Sequence, residues 1–240
     1  MLIKKLTLFS SVLLLSLGLA ACSGNDEAQE EKMPVGEDTE NLVENEDSMM
    51  DLEPHEPVAI VNGKEILQQE LTDQYEQIKL SYLQQGVEID RENEVVIKNY
   101  VLDQLVNTTL ILQAAEKGGF SPSNEEVQEQ LDQIKEQYGS EEELNEILEQ
   151  NNLTLAKLEE EVKIQLTINQ YLESEIKEPS VSQEEIIERY EQYKQQTDEM
   201  PELEEVEGLL AEEIKQEKNQ ASIGELVDKL KQASEINILI

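Results

Sequence analysis

The sequence predicts a mainly α-helical fold: a multi-helix body closed by a small two-stranded β-ribbon that pairs Val58–Val61 with Ile236–Leu239. Three observations carry that prediction. Glu, Gln, Lys and Leu dominate while Gly and Pro are scarce, which is the composition of long helices. Between positions 67 and 230 the apolar residues recur at three- and four-residue intervals, the period of helices buried along one face. Two stretches break that period, "VAIVNGKEI" from Val58 and "EINILI" at 235–240. Each is the other's partner on this reading, and because a lone two-stranded ribbon is marginal it must lie against helices.

The first segment, residues 1–21, has a basic "MLIKK" followed by the apolar "LTLFSSVLLLSLGLAA", the anatomy of an export signal. It ends at Leu19-Ala20-Ala21-Cys22, which resembles the lipobox of bacterial lipoproteins. That resemblance implies cleavage before Cys22 and a diacylglycerol on its sulfur. Cys22 is the single cysteine of the chain, so no intramolecular disulfide competes for it. Lipid at that position would anchor the protein to the outer face of the cell membrane, and the Lys/Glu/Gln-rich composition leans towards a Gram-positive cell.

Residues 22–57 form the second segment. After Cys22 it carries thirteen acids, one Lys and no sustained apolar period. Such a stretch buries too little surface to offset the entropy of ordering, so it reads as a disordered, self-repelling tether. His55, the only histidine, falls within it.

The third segment, residues 58–240, is the folded part. Asn62-Gly63 is a turn pair suited to positive φ. A helix with Leu67, Leu71, Tyr75, Ile78 and Tyr82 on one face follows and stops near Gly86. The next helix, from about Glu92 to Lys117, is apolar nearly all round and is read as central, with Gly118-Gly119 as its stop. Ser123 with Glu126, Ser140 with Glu143 and Ser182 with Glu185 are three capping boxes, each marking a helix start. At the third, Val181 and Ile186 are placed to form a hydrophobic staple. Thr154 caps another long helix, and the last opens near Pro201 and runs to Leu230.

This order of elements resembles the SurA-type N-terminal chaperone domain, found in SurA-like and PrsA-like foldase proteins and in relatives of trigger factor's chaperone arm. The "VNGKEI" turn and the closing "ASEINIL" carry most of the likeness. The resemblance departs at the helix start after Leu67, where members often place a Thr or Ser cap. It also implies a parvulin-type isomerase domain between the "YEQY" helix and the final one. Here "KQQTDEM" alone separates Tyr193 from Pro201, so the expectation is a chaperone body without prolyl isomerase activity.

A formal charge of -37, from 18 Lys+Arg against 55 Asp+Glu, repels phosphate backbones, so nucleic acid is not an expected partner. The expected partners are unfolded or nascent secreted polypeptides, together with the membrane through Cys22. No cofactor or metal is expected, since neither a phosphate-cradling loop nor a metal-binding loop is present. Surplus apolar residues at the margin of the helical stripes, Tyr82, Ile164, Ile168, Tyr190 and Tyr193, are the client-binding candidates; ordinary helix packing is the alternative for each. An adaptor or structural lipoprotein docking one envelope partner is one rival function, and an isomerase, by family naming only, is the other.

Overall fold

A computed structural model describes residues 52–150, 153–197 and 200–240. The export signal, Cys22 and the tether up to residue 51 lie outside the described residues. The described residues fall into two compact units: one runs up to Thr109 and includes Ser234–Ile240, and the other is Leu110–Ala233.

In the first unit, strand β1 (Pro57–Val61) buries Val58, Ala59 and Val61 completely. Asn62 (φ 50) and Gly63 (φ 83) then both take left-handed backbone, as a two-residue hairpin turn requires. The chain therefore returns at once as β2 (Lys64–Leu67), with Ile60 opposite Glu65 and Val61 opposite Lys64. The expected ribbon is thus a three-stranded antiparallel sheet, ordered β2-β1-β3. The expected long-range pairing holds within it: β3 (Ile236–Ile238) sets Ala59 against Ile238, Ile60 against Asn237 and Val61 against Ile236. Asn62 fastens the closure, since its N–H donates to the Glu235 carbonyl at 2.8 Å and its side chain bonds Glu235 N–H and Ser234 Oγ.

Two helices complete this unit. In α1 (Gln68–Gln84) the Glu70 carboxylate accepts from Leu67 N–H at 2.8 Å, which supplies half of a capping box where the sequence shows no Ser or Thr cap. The last residues assigned to the tether are also tied in here. Gln68 N–H donates to the Glu56 carbonyl and Gln69 N–H to that of Pro54, both at 2.9 Å. Pro54 and Glu56 thus supply acceptors to α1's first amides, which have none within the helix. Helix α2 (Arg91–Lys117) opens on Asp90, whose carboxylate accepts from Asn93 N–H at 2.8 Å. It ends in a Schellman turn in which Gly119 (φ 81) lets Phe120 N–H reach the Ala115 carbonyl. Buried residues along α2 run from Ile97 in the first unit to Ala115 in the second, as its all-round apolar pattern predicts.

The second unit continues with α3 (Asn124–Tyr138), α4 (Glu141–Gln150) and α5 (Leu155–Glu175). The expected caps are present: Ser123, Ser140 and Thr154 each accept from the backbone N–H three residues on, at 3.1–3.2 Å. Val127, Leu131 and Ile134 of α3, Leu144 and Leu148 of α4, and Leu158 and Val162 of α5 are buried. Full burial of an aliphatic side chain of this size is worth about 1.5–3 kcal/mol.

Helices α6 (Gln183–Lys194) and α7 (Leu203–Gln232) form an antiparallel hairpin around Ile186, Tyr190, Leu210 and Ile214, with Val181 packed against that cluster. Ser182 and Glu185 make the full capping box. Lys218 reaches Glu185 at 2.5 Å and the Ser180 carbonyl at 2.8 Å, while Arg189 forks between Glu213 and Glu217. Tyr190 donates its hydroxyl to the Pro201 carbonyl at 2.9 Å, closing the short connection between the two helices.

Candidate polypeptide-binding surface

Helix α1 buries only its first half. Gln68, Leu71 and Tyr75 face the core, and the Tyr75 ring sits beneath the ammonium groups of Lys98 (5.1 Å) and Lys79 (5.5 Å). Beyond Tyr75 the helix continues for more than two turns without burying a residue. Leu80 and Leu83, three apart and so on one face, are 54% and 50% exposed. The helix closes on a second Schellman turn, in which Gly86 (φ 80) lets Val87 N–H bond the Tyr82 carbonyl at 3.0 Å. That turn leaves Val87 45% exposed.

From α2, Tyr100 adds a 48% exposed ring. Its hydroxyl pKa is raised, first by burial of the oxygen, then by the Asp103 carboxylate and by Tyr82 close by. The phenol thus stays neutral far into alkaline pH and serves as an apolar ring with one hydrogen-bonding tip. Exposed Glu88 and Asp103 are acidic neighbours in this region of the chain. Leu80 and Leu83 on one face of α1, Val87 just after it, and Tyr100 with its neighbour Tyr82 are thus exposed or half-buried apolar side chains in acidic company, suited to apolar segments that carry basic residues.

The five client-binding candidates read from the sequence divide between the two units: Tyr82 belongs to the first and the other four to the second. Tyr82 is half-buried beside Tyr100. Ile164 is half-buried on α5. Ile168 is fully buried, which corrects its reading as a surplus residue. The buried face of α5 rotates from Leu158 and Val162 to Thr167, Ile168 and Tyr171, where the Phe120 ring meets Tyr171 edge-on at 5.6 Å. Tyr190 is likewise core, 6% exposed, with its hydroxyl satisfied by Pro201. Tyr193 is half-buried and donates to Glu213 Oε1 at 2.6 Å. Leu80 and Leu83 are absent from those candidates although they stand off the Leu71–Tyr75–Ile78 stripe, the same signal that picked out the others.

The model of the SurA-like N-terminal domain matches residues 43–172. The chain belongs to the SurA-like N-terminal domain family. It is also 27% identical over 134 residues to a protein named Chaperone SurA from Chromohalobacter salexigens, a match covering 55% of this chain and 30% of that relative. The chain therefore matches about a third of that relative's length. The SurA-like match takes in β1, β2, α1 to α4 and most of α5, and so includes Leu80, Leu83, Val87 and Tyr100. It stops within α5; α6, α7 and β3 lie beyond it.

Proposed function

We propose that the protein is an ATP-independent chaperone, lipid-anchored at the outer face of the cell membrane, that holds unfolded exported polypeptides and has no prolyl isomerase activity. The observation that carries this reading is the half-exposed set Leu80, Leu83, Val87 and Tyr100 in a domain of the SurA-like N-terminal family. Apolar surface left open at one end of a helix binds apolar segments of many sequences weakly, which is what holding requires. A basic n-region, an apolar run and "LAAC" before the acidic segment support the anchor at Cys22.

The test is suppression of aggregation when a chemically denatured protein is diluted into buffer with the full chain. The unaltered chain is expected to suppress it. Leu80→Ser with Leu83→Ser is expected to lose most of that effect with only a small fall in Tm, because both side chains are already half in water and Ser is only a slightly poorer helix former than Leu. Equal holding by the double variant would sink the surface assignment. A proline-isomerisation assay is expected to give the uncatalysed rate, and Cys22→Ala is expected to move the protein from the detergent phase to the aqueous phase. Saturable binding to one native envelope protein, with no effect on denatured ones, would instead identify an adaptor.

A further inference from the structure

The sheet has an open side. β3 bonds to β1 through alternate residues: the Glu235 carbonyl accepts from Asn62 N–H at 2.8 Å, Leu239 N–H donates to the Val58 carbonyl at 2.9 Å, and Asn237 stands opposite Ile60 between them. By the two-residue period of an antiparallel ladder, the N–H and C=O groups of Ile236 and Ile238 point the other way. On that side, among the described residues, no strand follows β3. Ile238 and Leu239 are 51% and 49% exposed and lie on opposite faces of the strand. Folded proteins usually blunt such an edge with a Lys, a Pro or a bulge, and Ile236-Asn237-Ile238 has none of these.

We propose that the free edge of β3 captures an extended segment of a client polypeptide by strand addition, the segment being rich in β-branched or aromatic residues and flanked by Lys or Arg. This deepens the chaperone reading and rests on it. The occupant is argued from charge. The chain as a whole carries -37, so a second copy is repelled at long range whereas a cation-flanked segment is attracted. Pairing through main-chain groups tolerates many sequences, and Ile238 and Leu239 give the added strand an apolar neighbour on each face.

The test uses the full chain and two short synthetic peptides of alternating Val and Thr with Lys pairs at both ends, one of them N-methylated on the residues that would face β3. Fluorescence anisotropy is expected to show binding of the plain peptide and at least about tenfold weaker binding of the methylated one. Ile238→Pro removes an outward N–H and leaves the ladder to β1, which uses Asn237 and Leu239, so it is expected to weaken the plain peptide about as much. Ile238→Ala keeps that N–H and is expected to change binding by less than about threefold. Equal affinity for the two peptides, no binding of the plain peptide, or equal binding by the Pro and Ala variants would each overturn the proposal. The peptide pair on the unaltered chain still decides the matter if the Pro variant does not fold. A dimer in sedimentation that Ile238→Pro dissolves would overturn it in favour of a second copy. Aggregation suppression with no difference between the peptides would remove the edge and leave the chaperone reading standing. Edge-dependent peptide binding without suppression would do the reverse.

Discussion

Glu161 on α5 is half-buried and its Oε2 has no hydrogen-bond partner among the described residues. Burial raises its pKa, with Lys157 opposing and Glu160 adding to the shift. A carboxyl raised in the folded state favours folding at low pH and loses that advantage as pH rises through the ordinary Glu range. Glu161→Gln is therefore expected to raise Tm near neutral pH and to match the unaltered chain in acid, as read by thermal melts across pH. Glu185 titrates in the opposite sense. Its pKa falls to about 2, first because Lys218 donates to it and then because Ser182 does through backbone and side chain. Its contribution is complete above the usual value of 4.5 and disappears as pH falls towards about 2. The stability gap between the unaltered chain and Glu185→Gln is expected to close over that window, and a gap that persists at the acid end would contradict the Lys218 contact.

At the scale of elements, short-range chemistry was readable wherever one side chain decides a helix start. Ser123, Ser140, Thr154 and Ser182 all cap as their spacing implies. Asn62-Gly63 was readable as a turn, but its consequence was larger than expected, because two left-handed residues in succession reverse the chain into a new strand and not into a helix. Gly63→Ala is expected to cost about 1 kcal/mol, the penalty for forcing a Cβ into left-handed backbone, as read by urea denaturation. A Cβ there would touch nothing within 4 Å, so a larger loss would point to something other than the turn. The exposed residues at the end of α1 were harder to read. Helical period marks which residues share a face, but not how far along the helix a neighbour extends to cover that face.

At the scale of the whole molecule, Val58–Val61 and Ile236–Ile238 bring the first and last parts of the described chain into one sheet. Deleting residues 235–240 is expected to abolish hydrogen-exchange protection at Val58–Val61, because half of β1's partners go with them. Amides of α3 to α5 in the second unit are expected to keep theirs. Uniform loss throughout would mean that the two units fold as a single cooperative body.

The sequence by itself determined the helical class and the capped helix starts, which rest on local side-chain chemistry and period, and the return of the final strand to β1, because two stretches break the helical period and each needs a partner. Only the tertiary structure decided that β2 joins the sheet, that Ile168 and Tyr190 are core, and that Leu80, Leu83 and Tyr100 stay open. Burial is a property of what lies across from a residue, and a periodic pattern says which side is apolar without saying whether anything covers it.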